Sequence, residues 1–548
     1  MGLYLLPRRW QRYREISRVL LRHGFGFLLE SAGLRRLRWP PRRAVPSPPP
    51  AHHLRLALEE LGPTFIKLGQ VLSTRPDLIP PPFVAELARL QDRVPPFPAA
   101  EARHIIEEEL GAPVEELFAD FQEEPLAAAS LSQVHGARLR TGEEVVLKVQ
   151  RPGIEAQVAT DLEILRRIAR LAEERLPQAE LYDLPGIVEE FGHTLHAEMD
   201  FRREANNAER FRHNFTGKPY LYIPRVYWEF TTHRVLTLER VYGLKIDDIP
   251  GLEAAGIDRH RVALHATDVV MQEIFQDGFF HADPHPGNFF VLPGDIIAAV
   301  DFGMVGYLSR SLREQLVSLL AAAVQMDTTA LVQQLLRMSL VETGVDREGL
   351  RRDLERLLQA YAGRPLKELR AAAVLEEAMP IAFRRRLRLP AELWLLGKML
   401  AMLEGVGTRL DPDFDPFAVA RPYALRLLRE STSLSALTER FRSALLDWGE
   451  LLLDFPLHTP TLFTRLQRGD WTVGVELRRT EGPLAVLDTL SLRLSLGILI
   501  AVGLVVAALF LRLLLVPGTW WSWLIVGAGG AALAGLLAAF VWTLRRTG

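Results

Sequence analysis

Three oxygen-bearing side chains near the middle of the chain have the types and spacing that phosphoryl transfer requires. In Phe280-His281-Ala282-Asp283-Pro284-His285-Pro286-Gly287-Asn288 an asparagine follows an aspartate five residues on, and Val300-Asp301-Phe302-Gly303 comes shortly after. Moving a phosphoryl group from ATP needs a carboxylate to orient or deprotonate the acceptor, and oxygen ligands for Mg2+. Asp283 suits the first task, and Asn288 and Asp301 suit the second. The intervening Phe289–Leu292 and Ile296–Val300 read as a hairpin that carries the loop into the metal ligand. An Asp-Phe-Gly alone reads more simply as an ordinary turn, but both segments at this separation argue for one site. His281 and His285 shape the loop; as zinc ligands they lack a third or fourth partner nearby.

Such a site needs a cation for the phosphates, and lysine is scarce here. The only lysines are Lys67, Lys148, Lys218, Lys245, Lys367 and Lys398, with arginine supplying nearly all the positive charge. Lys148 lies inside the apolar strand Val145–Val149, after the turn Thr141-Gly142, where an isolated ammonium requires an anionic partner. Candidate partners lie in Glu198-Met199-Asp200-Phe201-Arg202-Arg203-Glu204, read as part of a single helix over 187–212. Glu198 is favoured over Glu204. Upstream of Lys148, where a glycine-rich phosphate loop is expected, stands Ala127-Ala128-Ala129-Ser130. Alanine restricts the backbone that glycine would free, so this loop is expected to be stiff. By itself it reads equally well as the turn of a hairpin.

Around these residues the texture of the chain changes in order. Residues 1–50 hold a basic amphipathic segment and a proline-rich linker, with eleven arginines against Glu15 and Glu30. The segment either lies on a membrane or packs on the body of the protein. Residues 51–120 read as a helical extension, and 121–242 as a small strand-bearing lobe with inserted helices. Residues 243–480 read as a helical lobe carrying the catalytic loop. From Leu494 to Leu511 and from Trp520 to Leu544 the chain is uncharged, long enough for two helices across a bilayer within 490–546. Pro517-Gly518 turns between them, and Arg493 and Arg545-Arg546 place both ends, and the catalytic body, in the cytoplasm. The formal net charge of −2 gives no argument for nucleic-acid binding, and the absence of cysteine excludes disulfides and thiolate sites.

Together these segments resemble the UbiB (AarF) family of atypical kinases. The family's alanine-rich loop matches Ala127–Ser130, its lysine strand Val145–Gln150, and its Glu-x-Asp element Glu198 to Asp200. Its Lys-x-Gly-Gln hallmark stands here as Lys67-Leu68-Gly69-Gln70. The resemblance implies an α+β, two-lobed protein-kinase-like fold with an N-terminal helical extension over the active site and a C-terminal transmembrane hairpin. It implies an enzyme that uses ATP and Mg2+ in ubiquinone or related isoprenoid-lipid biosynthesis at the cytoplasmic membrane. Asp283, Lys148 and Glu198 would be its catalytic residues, with Asn288 and Asp301 on the metal. Ala127, Ala128, Ala129, Ser130, Lys148, Glu239 and Val241 would contact the nucleotide, and Lys67, Gly69 and Gln70 would regulate. The expected partners are membrane lipids, quinone precursors or quinone-biosynthesis proteins and a second copy of the chain, not nucleic acid. Two alternatives stand beside this reading: a small-molecule kinase of the aminoglycoside or choline type, and a non-catalytic ATP-binding scaffold.

Overall fold

The computed structural model describes residues 6–25, 50–75, 78–90, 94–175, 183–339, 345–361, 370–387, 389–412 and 423. Both expected membrane helices lie outside these residues. Among the described residues no helix is long and apolar enough to cross a membrane.

The N-terminal part is helical: α1 (Leu6–Arg22), α2 (Pro50–Leu61), α3 (Pro63–Ser73), α4 (Pro81–Leu87), α5 (Ala99–Leu110) and α6 (Val114–Leu117). Prolines open α2, α3 and α4, where the missing N–H would be unpaired anyway. Of the two readings left open for the basic helix, the structure has the packed one. Ile16 and Val19 of α1 are buried with Leu58, Leu61 and Phe65. Arg12 locks the helix in place: it donates to both carboxylate oxygens of buried Asp161, at 2.7 and 2.9 Å, and to the Leu61 carbonyl at 2.7 Å. A bidentate charged pair of this kind fixes orientation as well as proximity.

The small lobe is built on an antiparallel sheet of β1 (Phe118–Phe121), β2 (Ala127–Ala128), β3 (Ser132–Leu139), β4 (Glu144–Gln150) and β6 (Val235–Glu239). Its order is β1-β3-β4-β6, with β2 also paired to β3. Along β4, Val145, Leu147 and Val149 point into the core, and the period of two turns Lys148 to the other face. Among the described residues three helices interrupt the lobe: α7 (Ile154–Arg175), α8 (Leu184–Met199) and α9 (Phe201–Asn214). The expected single helix over 187–212 is therefore two. Asp200 is the break, with φ −93° and ψ 96°, and its carboxylate accepts from the Arg202 N–H as the N-cap of α9.

The second lobe begins with β7 (Leu244–Lys245), α10 (Ile249–Ala254) and α11 (Arg259–Gln272). The short β5 (Leu221–Tyr222) joins its four-stranded sheet, ordered β5-β10-β9-β7, whose β9 (Phe289–Leu292) and β10 (Ile296–Ala299) form the expected hairpin. Two further strands, β8 (Phe279–His281) and β11 (Val305–Tyr307), pair antiparallel and join the catalytic-loop segment to the stretch after Asp-Phe-Gly. Among the described residues five helices follow: α12 (Arg310–Val324), α13 (Thr328–Met338), α14 (Arg347–Tyr361), α15 (Ala371–Arg385) and α16 (Ala391–Leu410). They share a core that reaches up to Phe280 and Ala282 beside the loop.

Candidate active site

Where the two lobes meet, β4 presents Lys148 to two carboxylates. Its Nζ lies 2.7 and 2.9 Å from the two carboxylate oxygens of Glu204, and 2.9 Å from Oδ2 of Asp301. The Phe201 ring centroid is 5.7 Å from the same nitrogen. The partner of Lys148 is thus Glu204, not the favoured Glu198, and the break at Asp200 is the cause. Glu204 lies in the first turn of α9, which faces the sheet, whereas Glu198 lies in the last turn of α8. There Glu198 meets a different lysine, Lys67 of α3, at 3.1 Å.

Charge is unevenly matched here, since one ammonium serves two carboxylates. Burial opposes the charged form of Lys148, but Asp301 and Glu204 overcome it and hold the ammonium firmly protonated. Burial also opposes ionisation of Asp301; Lys148 and the Gly303 N–H, 3.0 Å away, hold it well below the usual carboxylate range. Glu204 is pushed upward, first by burial and then by Asp301, against the pull of Lys148. A further cation at this point would relieve the surplus negative charge.

The Asp-Phe-Gly turn is held from several sides. Phe302 is buried with Phe201 and Phe211, and its carbonyl accepts from Asn207 Nδ2 at 3.0 Å. His281 Nε2 lies 2.7 Å from the Asp301 carbonyl, and its Nδ1 lies 3.1 Å from the Asp283 N–H. A carbonyl can only accept and an N–H only donate, so the ring is the neutral Nε2–H tautomer. Burial favours the same state. Both ring nitrogens are therefore engaged in positioning the two aspartates. His285 is exposed, and its Nδ1 accepts from the Gly287 N–H at 3.0 Å. Asn288 donates through Nδ2 to the Asp283 carbonyl at 3.3 Å, which leaves its amide oxygen as the end available to a cation. Asp283 itself is met by Lys398 of α16, 3.1 Å from Oδ1.

Below the loop, α11 ends in a π-helical turn over Glu273–Asp277, closed by Gly278 at φ 59°. A Cβ on Gly278 would come within 2.5 Å of the Leu308 carbonyl, so both the conformation and the space call for glycine. The wider turn aims Glu273 inward, where Oε2 accepts from the His281 N–H at 3.2 Å. Burial pushes Glu273 up to about 8, so at neutral pH it is the protonated acid. The folded state therefore keeps a proton that the unfolded chain has already lost between the ordinary carboxylate pKa and about 8. Stability should fall as pH rises through that window, by up to about 4 kcal/mol from this one group. Glu273→Gln keeps an acceptor for His281 and should flatten the dependence; parallel denaturation midpoints for both proteins from pH 5 to pH 8 would refute this.

The alanine-rich segment is a tight hairpin turn. The Ala129 N–H donates to the Ser132 carbonyl at 2.8 Å, and Arg151 Nη2 donates to the Ala129 carbonyl at 3.2 Å. Ser130 Oγ is buried without a hydrogen-bond partner. Glu239 and Val241 sit where the chain leaves β6 for the second lobe. The Glu239 carboxylate accepts from Tyr222 Oη at 2.6 Å and the Arg225 N–H at 3.1 Å, so its side chain is committed to packing there. In the extension, Gly69 lets three helices close up: a Cβ would lie 2.3 Å from Leu90 and 2.8 Å from Leu58. Gln70 Nε2 reaches the Leu90 carbonyl at 3.4 Å.

A strand lysine held by a helix glutamate, an Asp-Phe-Gly aspartate beside it and an Asp…Asn loop below define a protein-kinase-like domain. A family model described as "ABC1 atypical kinase-like domain" matches residues 89–335, and one described as "UbiB helical domain" matches 354–415. A protein of Xanthomonas campestris pv. campestris called "Probable protein kinase UbiB" is 38% identical over 95% of this chain and 98% of its own length. Another of that name from Azotobacter vinelandii is 37% identical over 91% of each chain. A Synechocystis protein described as uncharacterized is 38% identical over 81% of this chain and 76% of its own. The chain belongs to the UbiB family of ABC1 atypical kinase-like proteins.

Proposed function

We propose that this protein is a membrane-anchored ATPase or kinase that binds ATP and Mg2+ in the cleft between the lobes and supports ubiquinone or related isoprenoid-lipid biosynthesis. The observation that carries the reading is the junction of Lys148 with Glu204 and Asp301, beside Asp283 and Asn288. The donors suit the ligand. Carboxylate and amide oxygens are the ligands Mg2+ prefers, and an ammonium inside a strand suits the α- and β-phosphates. The buried, unpartnered Ser130 hydroxyl in the alanine-rich turn is a further donor that a phosphate oxygen would satisfy.

Bound Mg2+ would neutralise charge on the triphosphate. Lys148, oriented by Glu204, holds phosphates; Asp301 and Asn288 hold the metal; Asp283 orients the acceptor and takes its proton. His281 fixes Asp301 and Asp283 relative to each other through one neutral ring. The Lys67–Glu198 pair ties α3 to α8 at the edge of the cleft, which supports a role for the extension in limiting access by large substrates. The uncharged stretches 494–511 and 520–544 support the anchor and the placement of the kinase-like body at the cytoplasmic membrane face.

The test is phosphate release from Mg-ATP by the full-length chain, with and without anionic vesicles and phenolic quinone precursors. Turnover that rises with the lipid is expected. Nucleotide binding without turnover under any of these conditions would sink the enzymatic reading in favour of a scaffold.

A further inference from the structure

The catalytic loop carries no permanent cation. Between His281 and Asn288 the only basic residues are two histidines. His281 is neutral, with both nitrogens engaged, and His285 spends Nδ1 on its own turn. The Lys148 ammonium is already shared between Glu204 and Asp301. Phosphoryl transfer nevertheless spreads negative charge over the transferred group, and a positive group aimed there is among the strongest contributions a protein makes.

A helix from the far end of the kinase-like body supplies one. Lys398 of α16 places Nζ 3.1 Å from Oδ1 of Asp283, and both side chains are 37% exposed, so the pair is open to solvent rather than sealed in the core. The helix beneath it is firmly seated. Trp394, Leu396, Met399 and Leu403 are buried in the large core. Met399, Met402 and Leu403 line one cavity together with Pro284 and Pro286 of the loop. Gly397 permits the close crossing with α15, since a Cβ there would lie 2.9 Å from Leu375. At the C-terminal end of α16, Asp411 accepts from His260 of α11 at 2.6 Å. Lysine is also the exception in this chain, six residues against an Lys+Arg total of 65. Three of those six, Lys67, Lys148 and Lys398, form carboxylate pairs, the last two with residues of the candidate site. An ammonium is a compact point charge with three donors that a single carboxylate does not exhaust, whereas a guanidinium is a broad planar fork.

We propose that Lys398 is a catalytic residue: held by Asp283, it donates to the γ-phosphoryl oxygens, so that the UbiB helical domain completes the active site of the kinase-like domain. The inference rests on the ATP-dependent reading above. In the step it serves, the bond from the β,γ-bridging oxygen to the γ-phosphorus breaks, and ADP departs with the electron pair. A bond forms from the acceptor oxygen, of water or a hydroxyl, whose proton passes to Asp283. Lys398 keeps its proton throughout and stabilises charge only. An ion pair this exposed contributes little to folding, so a purely structural role predicts almost no phenotype.

The experiment compares wild type, Lys398→Met and Lys398→Arg as full-length chains in vesicles. Two readouts are taken: Mg-dependent phosphate release, and calorimetric affinity for Mg-ADP and for a non-hydrolysable Mg-ATP analogue. Lys398→Met should lower kcat by roughly 10²-fold and raise KM for ATP by about tenfold. Its affinity for the ATP analogue should drop about tenfold while that for ADP stays level, because only the γ-phosphate is contacted. Lys398→Arg should recover part of kcat, and the thermal midpoints of all three should agree. Turnover by Lys398→Met within threefold of wild type, or an equal change for both nucleotides, would overturn the proposal. A wild-type protein that neither hydrolyses ATP nor prefers it to ADP would instead bring down the reading beneath it, and this inference with it.

Discussion

Asp301→Asn is expected to abolish Mg2+-dependent nucleotide binding and to lower turnover by at least about 10²–10³-fold, with the fold intact. Asp301 does two things at once. Oδ1 accepts from the Gly303 N–H at 3.0 Å, and Oδ2 faces Lys148 at 2.9 Å. The amide of asparagine can still accept from Gly303, so the turn should survive, as should burial of Phe302. The charge does not survive. A neutral amide is a poor ligand for a hard dication, and Lys148 would collapse entirely onto Glu204. Far-ultraviolet circular dichroism and thermal midpoint should be close to wild type, while ATP affinity becomes insensitive to magnesium. Equal ATP affinity in both proteins at millimolar Mg2+ would remove Asp301 from the metal site.

The second large effect separates two glutamates only six positions apart. Glu204→Gln should reduce kcat/KM by about 10²-fold, because the ammonium loses the carboxylate that shares it with Asp301. Lys148 would then be drawn onto Asp301 and compete with the metal for it. Glu198→Gln should leave that geometry alone, since the Glu198 carboxylate is 3.1 Å from Lys67 rather than near Lys148. Its expected phenotype is a looser α3, read as faster proteolysis or hydrogen exchange over 63–73, with nucleotide affinity retained. The reverse pattern, with nucleotide binding lost in Glu198→Gln and kept in Glu204→Gln, would contradict the arrangement described.

These two residues also show where sequence reasoning stops. The strand around Lys148, the hairpin between the two acidic motifs and the order of a strand-bearing lobe before a helical one are local patterns, legible from alternation and turn residues. Which glutamate faces Lys148 depends on where a helix breaks. Asp200 followed by Phe201 is an N-cap and helix-start signal, but it stands inside the charged run Glu198–Glu204, whose pattern reads as one continuous helix. Nothing local marks Lys398, whose loop partner lies 115 positions away; only the packing of α16 beneath the loop brings them together. The N-terminal helix has the same limit. Its amphipathic pattern fits a membrane or a protein surface equally, and the choice is made by Asp161, a buried carboxylate waiting for Arg12. The hydrophobic stretches near the C-terminus are evident by length alone and lie outside the described residues.

The most direct measurement is a crystal structure of the protein with Mn2+ and a non-hydrolysable ATP analogue, the metal located by its anomalous signal. The account predicts a manganese ion bound by oxygens of Asp301 and Asn288 at about 2.2 Å, with Lys148 turned to the phosphates and still paired with Glu204. A nucleotide bound elsewhere, or a metal in the cleft that touches neither of those side chains, would contradict it.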